Sequence, residues 1–112
     1  MVPMEQALRG AHKFVDEELV GRLTGGKRWL FGAAVDATFA EPGGIIKLLK
    51  DNTVVQMLGL MDEDNRLDVE KAYRYIKPRA AKGPAVIPIP FAGDLTLTES
   101  DVDKIYRYMM GG

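Results

Sequence analysis

The sequence predicts a mainly α-helical domain with one β-hairpin, an α+β arrangement in which short helices form a compact bundle. Three observations support this fold class. Apolar residues recur at helical spacing along most of the chain. Apolar and polar residues alternate only between about residues 84 and 98, as they do in strands. The length of 112 residues suits one domain with one core, so residues 1–112 are expected to fold as a single unit.

The first half of the chain predicts two medium-length helices. Pro3 is compatible with a first helical turn, and the helix is expected over residues 4–23. Its apolar stripe consists of Leu8, Ala11, Val15, Leu19 and Leu23. Residues 24–26, Thr-Gly-Gly, end that helix. The next helix, residues 27–40, is apolar nearly all round, which predicts either a buried central element or one that another subunit completes.

Two short helices joined by a tight turn are predicted next. Residues 41–44, Glu-Pro-Gly-Gly, are expected to separate two helices. The helix that follows them is expected to end at about residues 51–52. Thr53 and Gln56 have the spacing of a capping box, which predicts the start of the following helix.

The last third contains two similar helices that flank the hairpin. Residues 68–76 and 101–109 share Asp, Val, Lys, Tyr, Arg and Tyr in the same order, and each stretch has one apolar helical face. The first is expected to stop near Lys77, because Pro78 follows. Thr98 or Ser100 is expected to cap the second. The hairpin between them is expected to lay its apolar side chains on the helices, since an isolated hairpin is marginally stable.

Composition excludes several classes of protein. The chain has no cysteine, which removes disulfides and thiolate chemistry, and a reducing cytoplasmic location is the default expectation. Charged residues interrupt the N-terminal region, so no signal peptide is predicted. The longest apolar stretch, residues 29–40, is too short to span a membrane. A membrane-associated helical hairpin over residues 29–61 would place several charged side chains in lipid.

Few residues indicate site chemistry. His12 has no second histidine and no cysteine to complete a metal set, and is interpreted as structural. Asp36 lies within the apolar helix and is expected to contact a basic residue at position 22, 27 or 28. The acidic loop that starts at Asp62 resembles a calcium loop, but the ligand pattern fails where Arg66, Leu67 and Tyr73 stand. No catalytic or cofactor-binding motif is visible, so we expect no enzyme activity and no cofactor.

A basic stretch provides the main alternative function. Between Arg66 and Lys82 six basic residues face only two acidic ones, and a helix followed by a hairpin is also the order of a winged helix. In this alternative the nucleic-acid contacts would be Lys71, Arg74, Lys77 and Arg79. The net charge of −1 and an acidic residue at the hairpin tip argue against it.

The acidic turn, the Asp-Val helix, the Ile-Pro-Ile-Pro strand and the Leu-Thr-x-x-Asp-Val-Asp-Lys motif together resemble a group of small uncharacterised bacterial proteins associated with phage or mobile-element genes. The resemblance covers about residues 60–109. It implies no activity and carries over no functional residue.

The leading interpretation is a small non-enzymatic protein that acts through protein contacts and forms a homo-oligomer. Excess apolar surface on the helix at residues 27–40, together with two tyrosines on the flanks of the similar helices, indicates the interface. The predicted interface residues are Trp29, Phe31, Phe39, Tyr75 and Tyr108.

Overall fold

The computed structural model describes residues 1–23, 25–89 and 93–111. It confirms a mainly helical fold with a hairpin between the last two helices. The helices are α1 (Met4–Phe14), α2 (Gly25–Ala40), α3 (Pro42–Lys50), α4 (Thr53–Leu58), α5 (Val69–Lys82) and α6 (Glu99–Met109). The strands are β1 (Val2–Pro3), β2 (Arg66–Leu67), β3 (Ala85–Ile89) and β4 (Gly93–Leu97). Among the described helices, none combines the length and apolar content needed to cross a membrane.

The helical path that begins with α1 continues beyond it. A π-helical turn, Val15–Leu19, and a 3₁₀ turn, Val20–Arg22, follow without interruption, so the expected extent of the first helix is nearly correct. The backbone becomes extended at Leu23, and Gly25 adopts a positive φ of 63°, which glycine tolerates at little cost. The backbone therefore leaves the helical conformation on both sides of residue 24, which confirms the expected end of the first helix.

A second strand pair, which the sequence did not reveal, ties the N-terminus to the middle of the chain. β1 and β2 pair antiparallel, with Val2 opposite Leu67, and both side chains are buried. Pro3 therefore lies in a strand and precedes α1, so its expected place inside the first helical turn was wrong. Two-residue strands carry no alternation that a sequence pattern could reveal.

The breaks around α3 are shorter than expected. Only Glu41 separates α2 from α3, because Pro42 takes the first helical position, where its missing N–H costs nothing. Asn52, and not Thr53, caps α4: its side-chain oxygen accepts hydrogen bonds from the amides of Val54 at 2.9 Å and Val55 at 3.1 Å.

α5 runs one turn beyond its expected end and contains Pro78. The proline removes the amide that would bond the carbonyl four residues earlier. The Arg79 guanidinium donates to the neighbouring Tyr75 carbonyl at 2.8 Å and lies 3.6 Å from the centre of the Tyr75 ring. These contacts support the backbone next to the break, so the prediction that the helix stops near Lys77 was wrong.

Two apolar clusters form the core. One joins the N-terminal strand, α1, α4 and the start of α5, and its buried members are Val2, Met4, Ala7, Leu8, Val55, Leu60, Leu67 and Val69. The other joins the end of the first helical path to α2, and its buried members are Phe14, Leu19, Val20, Phe31 and Val35. Phe39 packs against both clusters. The core is thus continuous along one side of α2.

The two similar helices pack on each other and on the rest of the bundle. The rings of Tyr73 in α5 and Tyr106 in α6, which are equivalent in the two copies, lie with centroids 4.3 Å apart. β3 and β4 pair antiparallel between these helices. Leu97 packs against the second apolar cluster, as expected. The side chains at 87, 89 and 95 and the tip at 90–92 lie outside the described residues.

Candidate functional site

The outward face of α2 is an apolar surface that the fold leaves uncovered. Trp29 is 73% exposed and Leu30 is 50% exposed, although both are large apolar residues. At about 100° per residue, alanines follow them along the same side of the helix, and Lys27 and Asp36 lie at the two edges of that side. We call this surface the α2 face; its residues are Trp29, Leu30, Ala33, Ala34, Ala37 and Ala40, all of them exposed. The face covers a sector of roughly 140° and contains no charged side chain.

The opposite side of α2 explains why this face points outward. Phe31 and Val35, one turn apart, are buried in the second apolar cluster, and Phe39 continues the same side toward the first cluster. Among the described residues, these three apolar side chains mark the side of α2 that packs against the bundle. A helix that is apolar on both sides therefore keeps one apolar side free in the single chain.

The structure separates the five predicted interface residues. Trp29 alone lies on the α2 face. Phe31 is buried in the second apolar cluster of the single chain. Phe39 stacks on the His12 ring, with centroids 4.6 Å apart and planes 1° from parallel. Tyr75 lies under the Arg79 guanidinium. Tyr108 donates from its hydroxyl to Glu17 at 2.5 Å, and this contact raises the pKa of Tyr108 to about 12.

Opposite charges lie at the two ends of the α2 face. Lys27 lies in the first turn of α2 and Glu41 follows its last residue. Both side chains are exposed. In the part of the chain that the structure describes, neither forms an ion pair. The face is therefore apolar along its length, with a free positive end and a free negative end.

The four basic residues of the nucleic-acid alternative already have partners within the chain. Lys77 contacts Asp103 at 2.6 Å and Tyr73 at 2.9 Å, and these hydrogen bonds raise the pKa of Lys77 above its ordinary value. Lys71 donates to the Leu58 carbonyl at 3.1 Å. Arg74 lies 3.8 Å from a Glu70 oxygen, and Arg79 covers Tyr75.

An ion pair fastens α6 to the first helical path. Asp101 is 3% exposed, and Arg22 donates to it from both guanidinium nitrogens, from Nη1 at 3.0 Å and from Nη2. The Thr98 amide donates to the same carboxylate at 2.9 Å. The Arg22 hydrogen bonds, ahead of the Thr98 contacts, lower the pKa of Asp101 to about 2. Because the Asp101 carboxylate is buried and accepts hydrogen bonds from Arg22 and Thr98, we interpret it as a group that stabilises the fold.

Asp36 contacts a histidine and not an arginine or a lysine. Its Oδ1 lies 2.9 Å from Nε2 of His12, and Oδ2 of Asp16 lies 3.1 Å from the same nitrogen. The expected contact with a basic residue at position 22, 27 or 28 was therefore wrong; Arg22 pairs with Asp101 instead. Sequence reasoning missed Asp16, although its spacing of four residues from His12 predicts one helical face.

The acidic loop after Met61 is a hydrogen-bonded turn. Asp62 accepts from the amides of Asp64 at 3.0 Å and Arg66 at 2.8 Å, and from Nε of Arg66 at 2.7 Å. These bonds lower the pKa of Asp62. They also hold the loop between its bridge partners Met61 and Leu67, so Asp62 already has donors for both of its carboxylate oxygens.

Searches of protein-family models, curated proteins and solved structures for relatives of this chain gave no match. The resemblance to small bacterial proteins over residues 60–109 stays a prediction. The function proposed below is therefore inferred from the geometry of the chain itself.

Proposed function

We propose that this protein is a non-enzymatic assembly protein that self-associates through the α2 face. The observation that carries the proposal is a 16-residue helix with one exposed sector, the α2 face, that is apolar, contains no charged side chain and is not covered by the described residues. Water-exposed apolar surface costs about 25 cal/mol per Å², so covering the face with a like surface is favourable. A second copy of the chain supplies that surface.

The composition of the face suits helix-on-helix packing. Four alanines along its length allow two helix axes to approach closely, because little side-chain volume lies between them. Trp29, at one end, provides a large flat side chain that requires a shallow partner surface. The alanines at the opposite end, Ala37 and Ala40, form such a surface.

These features favour an antiparallel pair related by a twofold axis. Such an axis near Ala34 places Trp29 of each copy beside Ala40 of the other, so each large side chain meets a small one. The same operation brings Lys27 of each copy next to Glu41 of the other. The antiparallel helix dipoles add to this attraction. A self-complementary charge pattern of this kind supports a second copy as the partner.

The test is the oligomeric state of a variant with a charge in the middle of the α2 face. Ala33→Glu places a carboxylate between two apolar surfaces, where burying it without a partner is costly. We expect the wild-type chain to sediment as a dimer with micromolar dissociation and the variant to sediment as a monomer across the same concentrations.

The matched control is Ala81→Glu, which makes the same change at an exposed position of α5. It is expected to leave the dimer intact. Circular dichroism of both variants establishes that each is folded. A wild-type chain that stays monomeric at every concentration, or equal effects of the two substitutions, would contradict the proposal.

The nucleic-acid alternative has less support. Its phosphate contacts would have to displace Lys77 from Asp103 and Arg79 from Tyr75, which removes much of the positive charge available to phosphates. No comparable intramolecular partner occupies the α2 face among the described residues.

A further inference from the structure

We propose that His12, Asp16 and Asp36 form a binding site for one divalent transition-metal ion, for which Zn²⁺ is the probe. The three side chains come from two elements. His12 lies in α1 and Asp16 in the π-helical turn that follows, while Asp36 lies in α2. A bound ion would therefore link α2 directly to the first helical path.

The donor atoms are close enough to share one ion. Nε2 of His12 lies 2.9 Å from Oδ1 of Asp36 and 3.1 Å from Oδ2 of Asp16, and each residue offers a ligand atom within 4.8 Å of the others. Ligands held about 2.1 Å from a zinc ion lie roughly 3.0–3.4 Å apart. Small rotations of the two exposed carboxylates bring all three atoms to that geometry.

The cluster of His12, Asp16 and Asp36 contains more hydrogen-bond acceptors than donors. Nε2 of an imidazole carries at most one hydrogen, so His12 satisfies at most one of the two carboxylates that face this nitrogen fully. Within the described residues, neither Asp16 nor Asp36 forms an ion pair with lysine or arginine. A divalent cation supplies two positive charges at the point where two negative groups converge.

The histidine is held in the orientation that ligation requires. Its ring stacks in parallel on Phe39, which lies one turn beyond Asp36 in α2. Stacking on one ring face fixes the plane of the imidazole and keeps Nε2 directed at the two carboxylates. The ring loses little further conformational freedom when it binds an ion.

The ligand types determine the class of ion. One imidazole nitrogen with two carboxylate oxygens favours first-row transition ions over Ca²⁺ and Mg²⁺, which prefer all-oxygen sites. The side chains of Asp16 and Asp36 are 41% and 66% exposed, so water completes the coordination. Two exposed carboxylates and a half-buried histidine predict micromolar binding, weaker than that of a closed structural zinc site.

The test is isothermal titration of the intact chain with ZnCl₂ in a non-chelating buffer at neutral pH. We expect one ion per chain, retained in millimolar Mg²⁺. His12→Ala, Asp16→Asn and Asp36→Asn should each weaken binding by more than about tenfold, since losing even an outer-shell partner of a ligand costs about 10–100-fold. Asp51→Asn, an exposed aspartate outside the cluster, should bind like the wild type.

Thermal unfolding provides a second measurement. Zinc should raise the melting temperature of the wild type and of Asp51→Asn, but not that of Asp36→Asn, because only the folded chain brings the ligands together. Absence of zinc binding below millimolar concentration would overturn the proposal. Equal binding by Asp36→Asn and Asp51→Asn, or one ion per two chains, would also overturn it.

Discussion

At the residue scale, two aspartates that are equivalent in the similar helices have different roles. Asp68 caps α5 by accepting a hydrogen bond from the Lys71 amide at 3.0 Å. Asp101 lies three positions inside α6, where it forms a capping box with Thr98 and also binds Arg22. The cause is a difference in helix start: α6 begins earlier relative to its copy of the motif. Similar local sequence therefore gives one local cap and one long-range ion pair.

We predict that Asp101→Asn lowers the free energy of unfolding by about 1 to 2 kcal/mol at pH 7. Asparagine keeps an acceptor for the Thr98 amide, so the change removes mainly the charge that Arg22 contacts. Because the pKa of Asp101 is lower in the folded chain, its stabilising contribution is present above the ordinary aspartate value near 3.8. The contribution is lost as pH falls through about 2.

Urea unfolding at several pH values between 7 and 2 measures this contribution. The difference between wild type and Asp101→Asn should be constant near neutrality and should narrow below about pH 4. Glu63→Gln, an exposed carboxylate in the acidic loop, is the control and should show no such difference. A gap that persists unchanged at the lowest pH would rule out the charge as its source.

Trp29, Asp36 and Asp16 differ in how far the sequence predicts their surroundings. The exposure of Trp29 follows from a helix that is apolar on all sides, and that pattern is visible in the sequence. The contact between Asp36 and His12 depends on how α2 crosses α1, which no local spacing encodes. Asp16 could have been added from its helical spacing alone, but its relevance requires Asp36.

At the scale of elements, helical periodicity predicted the helices, apolar/polar alternation predicted the hairpin, and local chemistry set most of their ends. It failed at Pro78 because the supporting Arg79 contacts arise only once the helix exists. It failed at β1 and β2 because two residues are too few to show a period. α3 begins several residues earlier than expected, because Pro42 takes its first position. α4 begins one residue earlier than expected, because Asn52 is its N-cap.

Gly10 determines how closely α1 approaches α6. A Cβ built on Gly10 would lie 2.6 Å from the Met109 Cα and 2.7 Å from the Tyr108 carbonyl carbon, so backbone would have to move. We predict that Gly10→Ala destabilises the fold by about 1–3 kcal/mol through overpacking. Helix propensity alone would stabilise the fold by about 1 kcal/mol, so the sign of the change decides between the two effects.

Gly21→Ala is the matched control for this substitution. Nothing lies within 4 Å of a Cβ built there, so its effect should be neutral or slightly stabilising. Chemical denaturation of the two variants and the wild type gives the comparison. A stable Gly10→Ala variant would show that α1 and α6 can separate at no measurable cost.

At the scale of the whole molecule, the two apolar clusters leave one side of the bundle unfinished. Phe39 joins the clusters, and α2 contributes its buried side to the second. The opposite side of α2 has no partner among the described elements. The assembly that we propose completes this side without changing the fold of the single chain.

The antiparallel register predicts a charge-reversal cycle. Lys27→Glu should weaken self-association several-fold, because it places two negative groups together at each end of the pair, and Glu41→Lys should do the same with positive groups. The double variant should recover most of the wild-type affinity. Sedimentation equilibrium of the four proteins measures the coupling, and a parallel arrangement would show no recovery.

Trp29 is the only tryptophan in the chain, and it lies on the α2 face. Indole emission depends on the polarity around the ring, and in the proposed assembly the surroundings of this indole change on association. Dilution of such an assembly would shift the emission toward the colour of a hydrated indole. The assembly that we propose would therefore report its own formation through the natural fluorescence of the chain, without any label.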